Sequence, residues 1–229
     1  MMAVKIYQGH SHHLTRADVN VVIDVIRAFT FAHYAFIRGA KEILLAETID
    51  SAFHLKGKNP EYMLAGEEKG LPITGFDLDN SPQSLLEADL AGKTLVQKTT
   101  NGVRAALNAL NARHVFVTGF SNARTTAEYI KKTYGADQKI QIIASHPTGD
   151  DDLACAEYMK DIIEDRECQL VTWPAPRIKG SEAAQKFYDD SRPEFKSGDI
   201  DLCVEELELD FLMKVNQEND LPKIVGVTV

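Results

Sequence analysis

Four short segments of this chain collect the side chains that phosphoryl chemistry uses. Residues 24–30 (DVIRAFT), 66–81 (GEEKGLPITGFDLDNS), 98–104 (KTTNGVR) and 145–152 (SHPTGDDD) each follow an apolar run. In open α/β sheets ligands bind beyond the carboxyl ends of the strands, so these segments are expected on one rim of a sheet. Asp24, Glu67, Asp77, Asp79 and Asp152 supply carboxylates there. Hard oxygen donors of this kind suit Mg²⁺ better than zinc. The bland alternative is that each aspartate caps a helix or a turn.

The run Thr99-Thr100-Asn101-Gly102 suits an oxyanion. Hydroxyl and amide donors at the start of a helix meet the positive end of its dipole, and a glycine allows close approach. Arg27 and Arg104 add guanidinium groups able to grip phosphate or sulfonate through two hydrogen bonds. Here too a capping role for residues 99–101 is the alternative. Neither GxxxxGK[ST] nor GxGxxG occurs.

Other constellations lead elsewhere. Asp77-Leu78-Asp79-Asn80-Ser81 mimics a dehalogenase-type nucleophile motif, but residues 73–76 make a poor buried strand before it. His10, His12 and His13 fall in a polar connection and read as a solvated loop. Cys155 lies on an apolar helical stripe with Leu153, Ala156 and Met159, a core pattern. Cys155, Cys168 and Cys203 are widely spaced, which supports neither a zinc ribbon nor a disulfide framework.

The elements that must position these residues alternate. Strands are expected at 19–25, 42–46, 62–65, 94–97, 114–118, 140–144 and 223–229. Helices are expected at 28–38, 49–56, 103–110, 124–134, 153–164 and 181–190. This alternation predicts an α/β three-layer sandwich with a mainly parallel sheet. With 229 residues and no visible linker, it reads as one domain spanning 1–229, with two intimate subdomains as the alternative. Residues 66–82 are too rich in Gly, Pro, Asp and Asn for a simple turn and are expected to be a functional loop.

Composition narrows the partners. With 25 Lys plus Arg against 34 Asp plus Glu, the net charge of −9 opposes nucleic acid and anionic membranes as ligands. No apolar run reaches the roughly 20 residues that span a bilayer, and the start of the chain lacks a signal-peptide pattern, so a cytoplasmic protein is expected. A homodimer is the default expectation for such an enzyme.

The same four segments resemble the 2-phosphosulfolactate phosphatases, Mg²⁺-dependent enzymes of coenzyme M biosynthesis. The likeness rests on VVIDVIRAFT (21–30), LAGEEKGLPITGFDLDNSP (64–82), KTTNGVRA (98–105) and Asp151-Asp152 with Cys155-Ala156. GFSNA (119–123) and Asp201-Leu202-Cys203 are weaker echoes. The resemblance implies hydrolysis of a phosphate ester on a small sulfonated hydroxy acid. Its residues fall on Asp24, Arg27, Thr30, Glu67, Asp77, Asn80, Ser81, Thr99, Thr100, Asn101, Gly102, Arg104 and Asp152.

On that basis Asp24, Glu67 and Asp77 are expected to hold the metal, with Asp152 available as a ligand or, preferably, as the base for the attacking water. Asp24 and Arg27 complete the catalytic set. Thr30, Asn80, Ser81, Thr99, Thr100, Asn101, Gly102 and Arg104 would seat the anionic substrate, and Lys98 would add a cation. Phe29, Lys98, Val103, Asp79 and Asp151 depart from the family pattern beside these positions. Another small phosphorylated acid is therefore the alternative substrate, and a non-catalytic anion sensor the alternative class.

Overall fold

The protein is described by a computed structural model covering residues 3–166, 174–217 and 221–229; Cys168 lies outside them. Strands β1 (Val4–Gln8), β2 (Ala17–Ile23), β7 (Ala112–Thr118) and β8 (Ile140–Ala144) form one parallel block in the order β1-β8-β2-β7. A second parallel block holds β3 (Glu42–Leu45), β6 (Thr94–Lys98) and β4 (Met63–Glu68), edged by the short antiparallel β5 (Leu71–Pro72). An antiparallel ribbon, β9 (Phe211–Asn216) with β10 (Lys223–Thr228), joins β7 to β3 and completes a ten-stranded sheet.

The layers follow from side-chain parity. On β2, Val19, Val21 and Ile23 pack toward α4 (Ala123–Thr133) and α5 (Asp150–Ile163), while Val22 faces α1 (Ala28–Ile37) and α3 (Gly102–Asn108). A strand covered on both faces needs apolar residues at both parities, as this one has. α2 (Ile49–Lys58) covers β3, β4 and β6 through Ala52 and starts at a reciprocal Thr48–Ser51 capping box. α1 is apolar nearly all round because it is buried from Ala28 through Ala35. Among the described residues no helix is long and apolar enough to cross a membrane.

The strand directions revise one expectation. Passing through three antiparallel pairings, β7-β9, β9-β10 and β10-β3, the two parallel blocks run in opposite senses. In a flat sheet that would put their carboxyl ends on opposite rims, yet residues from the ends of both blocks line one cavity. Gln97, at the end of β6, donates to the Ala28 carbonyl at the start of α1 (2.9 Å), which ties the two ends together.

Gly66 is required where β4 turns into the cleft. Its φ is +140°, and a Cβ there would lie 1.8 Å from the Lys98 carbonyl oxygen. Gly66→Ala should cost about 3 kcal/mol or more, because strain adds to a backbone clash that cannot be relieved by a rotamer change. Urea denaturation of the variant tests this; an unchanged midpoint would contradict it.

Candidate active site

A cavity of about 560 Å³ opens where the two blocks meet. Asp24 and His146 reach it from the ends of β2 and β8, and Glu67, Thr100 and Asn101 from the ends of β4 and β6. Asn80 and Gly70 come from the long loop, and Lys186 and Phe187 from the segment after α7 (Glu182–Gln185). The loop over 66–82 thus contributes Glu67, Lys69, Gly70 and Asn80 to the cavity wall.

Asp24 Oδ1 accepts the Ala28 N–H (2.8 Å), and its Oδ2 lies 3.1 Å from Ser145 Oγ. The same hydroxyl is 3.0 Å from Asp152 Oδ2. One O–H donates to one acceptor at a time, so both contacts are satisfied when one of the two carboxyls carries a proton. Burial pushes the Asp24 carboxyl up to about 7, and the charges of Asp151 and Glu67 reinforce the rise against the Ala28 and Ser145 hydrogen bonds. Burial also raises Asp152 well above the usual carboxylate range, with Asp151 and Asp24 adding to it.

Asp152 is less available than sequence reasoning predicts. Its oxygens accept the N–H groups of Val25 (2.8 Å) and His146 (3.0 Å) as well as facing Ser145, and it is not on the cavity wall. It anchors the loop that carries His146 and holds Asp24 in place through Ser145. Asp151, by contrast, has a buried Oδ1 with no hydrogen-bond partner just behind Gly149 of the wall. Its carboxyl is raised by burial too.

Glu67 faces the cavity with both oxygens partly used. It accepts the Thr100 N–H and the Gly70 N–H, both at 2.5 Å, and the Thr100 hydroxyl at 2.9 Å. These bonds fix the β4–β5 hairpin to the Thr-Thr-Asn-Gly turn. Asp77 does not join the carboxylates. It is one-third exposed on the far side of the turn, where Lys56 (2.5 Å) and the Leu64 N–H (2.7 Å) bind it. Partial burial works to raise its pKa, but those donors win and hold it below the usual value. The metal role expected for Asp77 is thus not supported by its position, and the dehalogenase reading loses its nucleophile as well.

Several expected anion-binding residues serve structure. Thr30 Oγ1 donates to the Val25 carbonyl (2.8 Å), and Thr99 Oγ1 accepts the Val103 N–H (2.9 Å), so Thr99 takes the capping role. Gly102 lets α3 lie against Asp24, whose Oδ2 would be 2.6 Å from a Cβ there. Lys98 is buried, ion-paired to Glu68 and bonded to the Glu67 carbonyl (3.3 Å). Arg104 is exposed and faces a separate cavity with His10 and Glu47. Of the expected substrate seats, Asn80, Thr100 and Asn101 reach the main cavity.

Arg27 lines the cavity, but its charge is already matched. It forms a fully buried ion pair with Asp199 of α8 (Ser197–Cys203) at 2.7 Å and donates to the Gly70 carbonyl at 3.4 Å. Its guanidinium also lies over Phe187 and Phe195, at 4.9 and 5.8 Å from the ring centroids. Asp199 in turn accepts from the Ser81 hydroxyl (2.6 Å) and the Gln83 N–H (3.0 Å). Ser81 is therefore a support for Asp199. The Ile26–Arg27 peptide is cis.

Sequence reasoning missed Asp199, His146, Lys186 and Phe187. His146 sits in a segment that the strand-end rule selects, so a signal existed for it. The others lie more than a hundred residues downstream of Arg27, in short helices of loose pattern.

The chain matches the sequence model of the 2-phosphosulpholactate phosphatase family over residues 4–221. A probable 2-phosphosulfolactate phosphatase of Bacillus subtilis (strain 168) is 58% identical over 228 residues, 100% of both chains. Probable 2-phosphosulfolactate phosphatases of Clostridium perfringens (strain 13 / Type A) and Thermoplasma acidophilum are 32% and 29% identical, over 77% and 91% of this chain and 75% and 87% of theirs. The matched range runs from β1 to the threshold of β10 and takes in every wall of the cavity, so the chain belongs to the 2-phosphosulpholactate phosphatase family.

Proposed function

We propose that this chain hydrolyses 2-phosphosulfolactate to sulfolactate and phosphate with the help of Mg²⁺. The observation that carries the reading is the unpartnered, buried Asp151 Oδ1 beside the crowded Asp24–Asp152 pair, at the edge of a polar cavity. Carboxylates forced together without a cation are costly, and a divalent ion offsets that cost. Among the described residues no three such side chains already converge as a metal cage. Mg²⁺ does not require such a cage, since it commonly binds one or two carboxylates and completes its shell with water and substrate phosphate. Asp151 would hold the ion, with Glu67 on the facing wall, leaving Asp24 for the attacking water.

When bound, Mg²⁺ supplies positive charge against the phosphoryl oxygens as the transition state develops. The chain's own residues do the rest. Asp24, aligned by Ala28 and Ser145, receives the proton of the attacking water. The water oxygen bonds to phosphorus, the ester P–O bond breaks, and the departing alkoxide is protonated from solvent. Thr100, Asn101 and Asn80 orient the anion.

The departures from the family pattern bear on the choice of substrate. Phe29 and Val103 are buried in the core, Lys98 is paired with Glu68, and Asp79 caps the Ser81 N–H (3.0 Å). None of these four lies on the cavity wall, and the fifth departure, Asp151, keeps a carboxylate where the family pattern has glutamate, beside Gly149 of that wall. This favours the substrate in the relatives' names over a different phosphorylated acid.

Phosphate release from 2-phosphosulfolactate should be fast with Mg²⁺ and fall at least about a hundredfold in EDTA, recovering when Mg²⁺ is restored. Equal rates with and without chelator would refute the metal role. No release under any condition would leave the non-catalytic sensor.

A further inference from the structure

We propose that Lys186 is the sulfonate-binding residue of this cavity, an assignment that rests on the proposed function. Of the basic residues near the site, Arg27 is neutralised by Asp199 and Lys98 by Glu68, while Arg104 faces another cavity. Lys69 reaches the wall only as an exposed residue at the hairpin tip. Lys186 lines the same cavity, is largely buried, and has no ion-pair partner among the described residues.

The segment around it is built to hold that side chain. Ser181 Oγ accepts the Ala184 N–H (3.3 Å), starting the short helix that delivers Lys186. Ala184, Phe187, Phe195 and Ile200 form a small core of their own. The Lys186 ammonium lies 4.8 Å from the Phe195 ring centroid and 5.7 Å from that of Phe187. A Cβ on Gly70 would stand 3.1 Å from its Nζ, so the glycine keeps space open beside the ammonium.

Burial and the neighbouring Arg27 lower the pKa of Lys186 against the opposing charges of Glu67 and Asp151, which the proposed ion would take up. An anionic ligand group removes that penalty. Chemistry selects which one. The phosphoryl group belongs at the carboxylate end with the metal, leaving the carboxylate and sulfonate of the substrate. With both nearby arginine positions committed elsewhere, the three rotatable donors of the ammonium are the charge left to meet the three oxygens of a sulfonate.

The test compares wild type, Lys186→Met and Lys186→Arg on 2-phosphosulfolactate and on 2-phospholactate, which keeps the carboxylate and lacks the sulfonate. Methionine preserves the apolar stem against Phe195, so the fold is retained. The expected result is a KM for 2-phosphosulfolactate raised roughly 10- to 100-fold in Lys186→Met with a small change in kcat, and partial rescue in Lys186→Arg. The KM for 2-phospholactate should move far less. An equal rise for both substrates, or no rise, would overturn the assignment.

Calorimetric titration of sulfolactate into wild type and Lys186→Met separates this assignment from the reading beneath it. Lys186-dependent binding in a protein that releases no phosphate would sustain the assignment and defeat the phosphatase reading. Normal turnover with Lys186-independent binding would do the reverse. A wild type that neither binds nor hydrolyses defeats both.

Discussion

Asp24→Asn is expected to lose turnover by about a thousandfold while making the metal-free protein more stable at neutral and alkaline pH. The Asn amide removes a charge and resolves the hydrogen bonding around Ser145. Its oxygen can still accept the Ala28 N–H, its NH₂ can donate to Ser145 Oγ, and the Ser145 hydroxyl is then committed to Asp152. In wild type, the folded-state pKa of Asp24 is raised from 3.8 to about 7. The folded form therefore holds a proton that the unfolded chain has released. That contribution is fully present below pH 3.8 and is lost as pH rises through 7.

The gap between variant and wild type should be small at pH 4 and grow to as much as about 4 kcal/mol by pH 8 in EDTA. Asp151, Asp152 and Glu67 are the charges that face Asp24, and all three lose a repulsive neighbour in the variant. His33 acts in the opposite sense. Burial lowers it from 6.5 to about 4, so its contribution is present above pH 6.5 and lost as pH falls through 4. It is common to both proteins and cancels in the difference. Urea titrations from pH 4 to 8 decide the matter: parallel stability curves would mean that Asp24 is ionised at no cost.

The contrast between Asp24 and Asp77 shows what the sequence could and could not specify. Both are aspartates in segments that follow a strand. Asp24 ends a run apolar at both parities, which marks a buried strand and places the carboxylate at its tip. Asp77 lies nine residues past β4, and over that distance chain direction is set by turns whose outcome depends on Lys56 of a different helix. The same logic separates Thr100 from Thr99, which point in opposite directions from adjacent positions. Local alternation predicted the main strands and helices; which side chain faces the cleft required the partner.

Long-range partners also explain what was not legible. Arg27 reads as a phosphate clamp because a guanidinium after a strand commonly is one. Its partner Asp199 is 172 residues away, in a seven-residue helix with no strong periodicity. The opposed run of the two sheet blocks was hidden for a related reason. It depends on the β9–β10 ribbon, whose insertion between β7 and β3 no local pattern of the sequence specifies.

Asp199→Ala should be among the most damaging single changes in the molecule, costing about 3–5 kcal/mol. Arg27 and Asp199 have 4% and 0% of their side-chain surface exposed, so removing one carboxylate leaves a guanidinium without water or counter-charge. The Ser81 hydroxyl and the Gln83 N–H lose their acceptor in the same step. Since those groups fix the loop that carries Asn80, turnover should fall even in molecules that remain folded. The double variant Arg27→Met with Asp199→Leu distinguishes the two effects. Replacing a buried pair by apolar groups of similar size commonly restores stability, so it should recover most of the midpoint in guanidinium. Activity should stay low, because the Gly70 carbonyl contact and the aromatic stacking of Arg27 are gone. A double variant that is both stable and fully active would show that the ion pair has no part in shaping the cleft.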